Sequence, residues 1–134
     1  MTAATDLARA SEALAEAEES RDHLIRYASA HVAALRAAAA VLAVRAKPTP
    51  SRRPVQRNVW VLLAKVAPEL GEWAAFFAAG APKRAAAEAG LTRAVTEREA
   101  DDLLRDATTF VELVERSLGL PRQTVLSQSW VRAS

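Results

Sequence analysis

Alanine fills 32 of the 134 positions, about a quarter of the chain, and this most restricts what the chain can become. It is the best helix former and a poor strand former, so an apolar fraction of 51% dominated by it points to packed helices. Few β-branched runs and only 4 glycines argue against a sheet-based fold. The length suits one domain with a real core and is too short for two comfortable ones. With no cysteine, a disulfide scaffold, a Cys-ligated zinc site, an iron–sulfur cluster and a thiol nucleophile are excluded. Two histidines leave no His-rich metal site, so no metal and no cofactor are expected. A net charge of +2 excludes a histone-like polycation.

No segment reads as the roughly 20 apolar residues of a membrane span. The longest alanine-rich stretch, Ala28 to Ala46, is interrupted by His31, Arg36 and Arg45. The start, MTAATDLARA, carries an early acid and no apolar centre, so it does not read as a signal peptide and a cytoplasmic location is expected.

Periodicity and capping residues predict a first helix over Asp6 to Glu19, capped by Thr5, with Leu7, Ala10 and Leu14 on one stripe. Ser20 is expected to cap a long second helix reaching Arg45, its stripe being Leu24, Tyr27, Ala28, Val32, Leu35, Ala39 and Leu42. Prolines at 48, 50 and 54 make residues 46–57 the one clear linker. Asn58 then caps a third helix to about Val66, and Pro68 either opens a new helix or kinks a longer one ending before Gly80. A short helix over Lys83 to Ala89 closes at Gly90. Thr96-Glu97-Arg98-Glu99 is a capping box for a last helix ending near Leu118, with Ala100, Leu103, Leu104, Ala107, Phe110, Val111, Val114 and Leu118 facing the core. The expected fold is all-α: one domain over 1–120, an up-and-down bundle of four to five helices with the long ones antiparallel. A tail over 121–134 is either docked or free.

Charge falls in blocks. Residues 1–22 hold six acids and two arginines, and residues 97–115 hold seven acids and two arginines. From His23 through Pro68 there is no acid, against eight bases. One reading is a basic strip of Arg45, Lys47, Arg52, Arg53, Arg57 and Lys65 facing a partner, since arginines attract phosphates through counterion release and bidentate hydrogen bonds. The other is complementarity within the bundle, with acidic first and last helices beside a basic second one. For Arg26 and Arg36, in mid-helix, the second is preferred.

His23, Tyr27 and His31 stand at i, i+4 and i+8, on one stripe, with Arg26 beside them. Such a set suits acid–base work on a phosphodiester: His31 carrying the proton, Arg26 stabilising charge, His23 and Tyr27 supporting. The plainer reading is a set of paired structural polar residues. Trp73, Phe76 and Phe77 read as core, Trp60 as a ring at the edge of the basic strip, and Trp130 in the tail as an anchor for a partner. Lys83 and Arg84 oppose their helix dipole unless an acid or phosphate meets them, and Asp101 and Asp102 favour theirs.

The runs HVAALRAAAAVLAVRA, RNVWVLLAKVAPELGEWAAFFAAGAPKRAAAEAG and VTEREADDLLRDA resemble a small family of actinobacterial proteins of the HEPN (higher eukaryotes and prokaryotes nucleotide-binding) superfamily. The resemblance spans roughly Leu7 to Leu118. It implies an up-and-down helical bundle, often dimeric, in a superfamily of ribonucleases, toxin components and noncatalytic RNA- or nucleotide-binding modules. Active members carry an R-x4-6-H motif, whose spacing Arg26 and His31 match. Here the motif lies in the second helix and its Arg26 is followed by Tyr27, two departures from the nuclease pattern that favour a noncatalytic module. The expected partner is therefore RNA, another nucleic acid or an acidic protein, met through the basic strip with Trp60 nearby. The alternatives are a metal-independent ribonuclease using Arg26 and His31, and a homodimer or adaptor whose Ala37–Ala40 run allows close helix approach.

Overall fold

Each long helix begins where a side chain can accept a hydrogen bond from a first-turn amide. The computed structural model describes residues 2–46 and 58–120; the linker prolines, Lys47, Arg52, Arg53, Arg57 and the tail with Trp130 lie outside the described residues. Among the described residues there are six α-helices and no strand: α1 (Ala3–Glu19), α2 (His23–Arg45), α3 (Val59–Val66), α4 (Gly71–Ala79), α5 (Ala81–Glu88) and α6 (Glu97–Leu118). The all-α bundle expected from the alanine content is the fold found.

Two caps differ from expectation. Thr2, not Thr5, starts α1: its hydroxyl accepts from the Thr5 amide at 3.1 Å. Ser20 ends α1, its amide donating to Glu16 O at 3.1 Å, and Asp22 caps α2 by accepting from the Leu24 amide at 2.8 Å. A carboxylate at that position also faces the positive end of the α2 dipole, which a serine hydroxyl cannot match. Asn58 caps α3 as expected, and Thr96 and Glu99 close a complete capping box at 3.0 and 2.9 Å. Pro68 opens a short 3-10 turn, Pro68–Leu70, which separates α3 from α4. Gly119 ends α6 in the left-handed region, at φ +67°, where a side chain would be strained.

Contacts along α2 give the direction of everything else. Its last residue, Arg45, pairs with Glu69; its middle meets Phe77 through His31; its start meets the Thr92 carbonyl through His23. The chain from the 3-10 turn through α4 and α5 therefore runs back along α2 as one broken third leg. α3 and α4 fold into a hairpin at the turn, with Trp60 stacked on Phe77 at 5.1 Å. Arg26 meets Asp101 at 3.0 Å, so the starts of α2 and α6 lie side by side and these two helices run parallel. The long helices are thus not all antiparallel. The third leg, broken by Pro68 and Gly80, supplies the reversal.

α2 is central, packed against α1, α3, α5 and α6. No single stripe describes it: Val32, Leu35, Ala39 and Leu42 are half-buried, whereas Ala30, Ala33, Ala34, Ala37, Ala38, Ala40 and Val41 are fully enclosed. Ala37, Ala38 and Ala40 accordingly pack inside this chain. By length and composition α2 is also apolar enough to cross a membrane, which its interruptions conceal in the sequence; 56% of that stretch is buried inside the bundle.

Candidate functional site

α2 presents His23, Tyr27 and His31 on one face, as their spacing predicts, and the third leg closes over that face. His23 is half-buried at the rim, with Nε2 3.4 Å from the Thr92 carbonyl oxygen. Tyr27 and His31 lie deeper, 6% and 1% exposed. Gly80 lies at this closure. A Cβ there would stand 3.1 Å from the Tyr27 hydroxyl, a tight contact, and 3.7 Å from His31 Cδ2, so the turn between α4 and α5 packs close against α2.

His31 donates from Nε2 to the Phe77 carbonyl at 2.9 Å. That carbonyl belongs to the last turn of α4 and also accepts from the Gly80 amide at 3.0 Å. The ring sits edge-on to Trp60 and Phe77, with centroids 6.1 and 6.0 Å away. Burial pushes its pKa below the ordinary histidine value; the Phe77 carbonyl and Glu88 oppose this, and Arg84 reinforces it. Desolvation wins, so the neutral imidazole with its proton on Nε2 is the form that fits. Nδ1 is buried without a hydrogen-bond partner. Burial likewise raises the Tyr27 phenol, with Lys83 opposing and Glu99 adding to it.

Arg26 does not join this group. Residues five apart lie about 140° apart around a helix. Its guanidinium instead donates to Asp101 at 3.0 Å and to the Ser20 carbonyl at 2.9 Å, tying the start of α6 to the α1–α2 turn. The structure therefore brings together His23, Tyr27 and His31 and sends Arg26 to another face. Its partner is an acid of the last helix, in keeping with complementarity within the bundle.

The members of the basic strip fare differently. Arg45 pairs with Glu69 on the 3-10 turn. Lys65 is exposed on α3 and carries no ion pair among the described residues. Trp60 is 4% exposed and stacked in the aromatic core, so its ring is not an edge platform beside the cations. α3 turns that side of its first turn inward, where Phe77 and Phe110 leave room for an indole.

Several partners were not legible in the sequence. The Phe77 backbone oxygen leaves no trace there, and Glu69 and Asp101 become partners of Arg45 and Arg26 only once the third leg folds back. Lys83 was legible: a cation in the first turn of α5 calls for an acid, and Glu99 of the capping box meets it.

The geometry is that of a helical bundle whose histidine face is roofed over by a broken third leg. The family model described as SAV_6107-like HEPN matches residues 17–115, most of the chain, and the chain belongs to that family. It is thus a HEPN-type domain, of a superfamily of nucleotide-binding and ribonuclease-like proteins. Neither a curated protein nor a solved structure matches it.

Proposed function

We propose that this chain is a noncatalytic HEPN-type binding module that meets nucleic acid through the basic strip of Arg45, Lys47, Arg52, Arg53, Arg57 and Lys65. The observation that carries the reading is the burial of His31. A general acid or base must reach the proton it transfers, and this imidazole is enclosed by aromatic rings and engaged by a backbone carbonyl. The acid-free stretch from His23 to Pro68 supports the choice of an anionic partner, since phosphates bind where cations outnumber acids.

The test is binding of labelled single-stranded RNA and DNA to the full chain at low and at moderate salt. Expected is association at low salt that weakens with a log–log slope of about 0.7 per phosphate contacted. Arg52→Ala with Arg53→Ala should weaken it, and Glu69→Gln, which frees Arg45, should strengthen it. Absence of binding at low salt, or indifference to the double substitution, overturns the proposal. Cleavage of the RNA that is lost in folded His31→Ala would favour the ribonuclease reading instead.

A further inference from the structure

Phe76, whose spacing reads as core, is 46% exposed. It shares α4 with half-buried Trp73, and the two rings meet at 6.5 Å with their planes 86° apart. Both are held from behind by one ring: Trp73 stacks on Phe77 at 5.9 Å, and Phe76 meets it edge-on at 5.0 Å. Trp73 and Phe76 line an open cleft of about 340 Å³ between α4 and α6, together with Glu72 and Asp106. All four side chains stand on regular helices, so the walls are in place without a ligand and little ordering is needed to use them.

Neither carboxylate has an ion pair among the described residues. Arg105, next to Asp106 in sequence, is engaged by Asp102 at 2.9 Å, and Glu69, three residues before Glu72, is taken by Arg45. Lys65, exposed on α3, borders a separate groove between α3 and α4. The cleft therefore sets two uncompensated negative charges beside two aromatic rings. An anion is repelled by both carboxylates, and an uncharged apolar molecule leaves them unanswered. A hard metal ion takes about six or more oxygen ligands, whereas half of this lining is aromatic. A cation that carries its own hydrocarbon matches every part. Its carbons cover the rings, and its charge is drawn both by the ring quadrupoles and by the carboxylates. The volume is that of a small-molecule site.

We propose that the α4–α6 cleft binds a small free quaternary ammonium ion, its methyl groups against Trp73 and Phe76 and its charge between Glu72 and Asp106. This inference is independent of nucleic-acid binding, since the cleft repels phosphate, and it stands or falls separately. The probes are choline and its neutral isostere 3,3-dimethylbutan-1-ol, titrated into the full chain at matched ionic strength. The indole N–H resonances are followed, with Trp73→Phe identifying the signal of that ring. Choline should shift the Trp73 resonance saturably, and the alcohol should bind at least about tenfold more weakly. Phe76→Leu, which keeps an apolar wall but removes its ring, should weaken choline about two- to fivefold. Glu72→Gln combined with Asp106→Asn should weaken it about tenfold, with a smaller loss at high salt. Unchanged circular dichroism in each variant keeps the result from being read as unfolding. No saturable shift, equal affinity for choline and the alcohol, a shift confined to Trp60 or Trp130, or indifference to both variants would each overturn the proposal. A trimethyllysine peptide that binds more tightly than choline would assign the cleft to a protein side chain and overturn the free ion as its occupant.

Discussion

Between α1, α2 and α6 the interior is rich in small residues, Ala10, Ala13 and Ala17 from α1, Ala30, Ala33, Ala34 and Ala37 from α2, Ala100 and Ala107 from α6, set among a few aliphatic side chains such as Leu7 and Leu14. Around the α3–α4 hairpin it is filled with rings, Trp60, Trp73, Phe77 and Phe110, packed with centroids 5.1 to 6.3 Å apart. The first region gains its stability from close approach of long helices, each alanine contributing little and none leaving space. In the second, short helices of eight and nine residues, too short to hold their shape alone, are kept by a few large side chains. The difference teaches that alanine content sets how near the helices lie, while a handful of aromatics holds the broken leg in place.

The contrast can be broken most severely at Phe77, which is fully buried and touches four other aromatic rings and His31. Phe77→Ala should cost about 3–5 kcal/mol in denaturant unfolding, because truncating a packed ring removes its burial and leaves a cavity. The alanine region fails by the opposite route. Ala34→Leu, at a fully enclosed position, should cost about 1–3 kcal/mol through overpacking. The same change at exposed Ala75 should leave stability nearly untouched.

A finer test uses pH. Because His31 has a lowered pKa in the folded chain, the unfolded chain binds its proton first as pH falls. Stability from this group is intact above the ordinary histidine value of about 6.5, declines as pH drops through it, and levels off below the folded value. His31→Gln keeps a donor for the Phe77 carbonyl and should flatten that decline in unfolding curves measured between neutral and mildly acidic pH. The smallest effect is expected at the Arg26–Asp101 pair, whose carboxylate is 65% exposed. Asp101→Asn should cost about 0.2–1 kcal/mol, less at high salt.

Much of the architecture could be read from residue order alone. The Thr96–Glu99 capping box, the Asn58 cap and the α6 core stripe follow from local rules that tertiary structure did not override. Thr5 and Ser20 were misplaced as caps because several acceptors stand near each helix start and only geometry selects one. The parallel course of α2 and α6 was hidden, since it depends on how far the broken leg travels before α6 begins. At the histidine face, spacing correctly placed His23, Tyr27 and His31 together. It could not tell a face open to solvent from one covered by another segment, and that cover decides what His31 can do. Trp60 was misjudged for a related reason: neighbouring arginines in sequence say nothing about which way a ring turns on its helix.

The central place of α2 bears on how the chain reaches its fold during synthesis. As it leaves the ribosome, α2 is a cylinder apolar enough to pass for a membrane segment, and left bare it would invite aggregation. Its first cover has already been made. α1 precedes it and is joined to it by only three residues, Ser20 to Asp22, so the two can close into a hairpin while the nascent chain still lacks every aromatic of the third leg. The order of helices along the chain thus supplies α2 with one of its neighbours before the others exist.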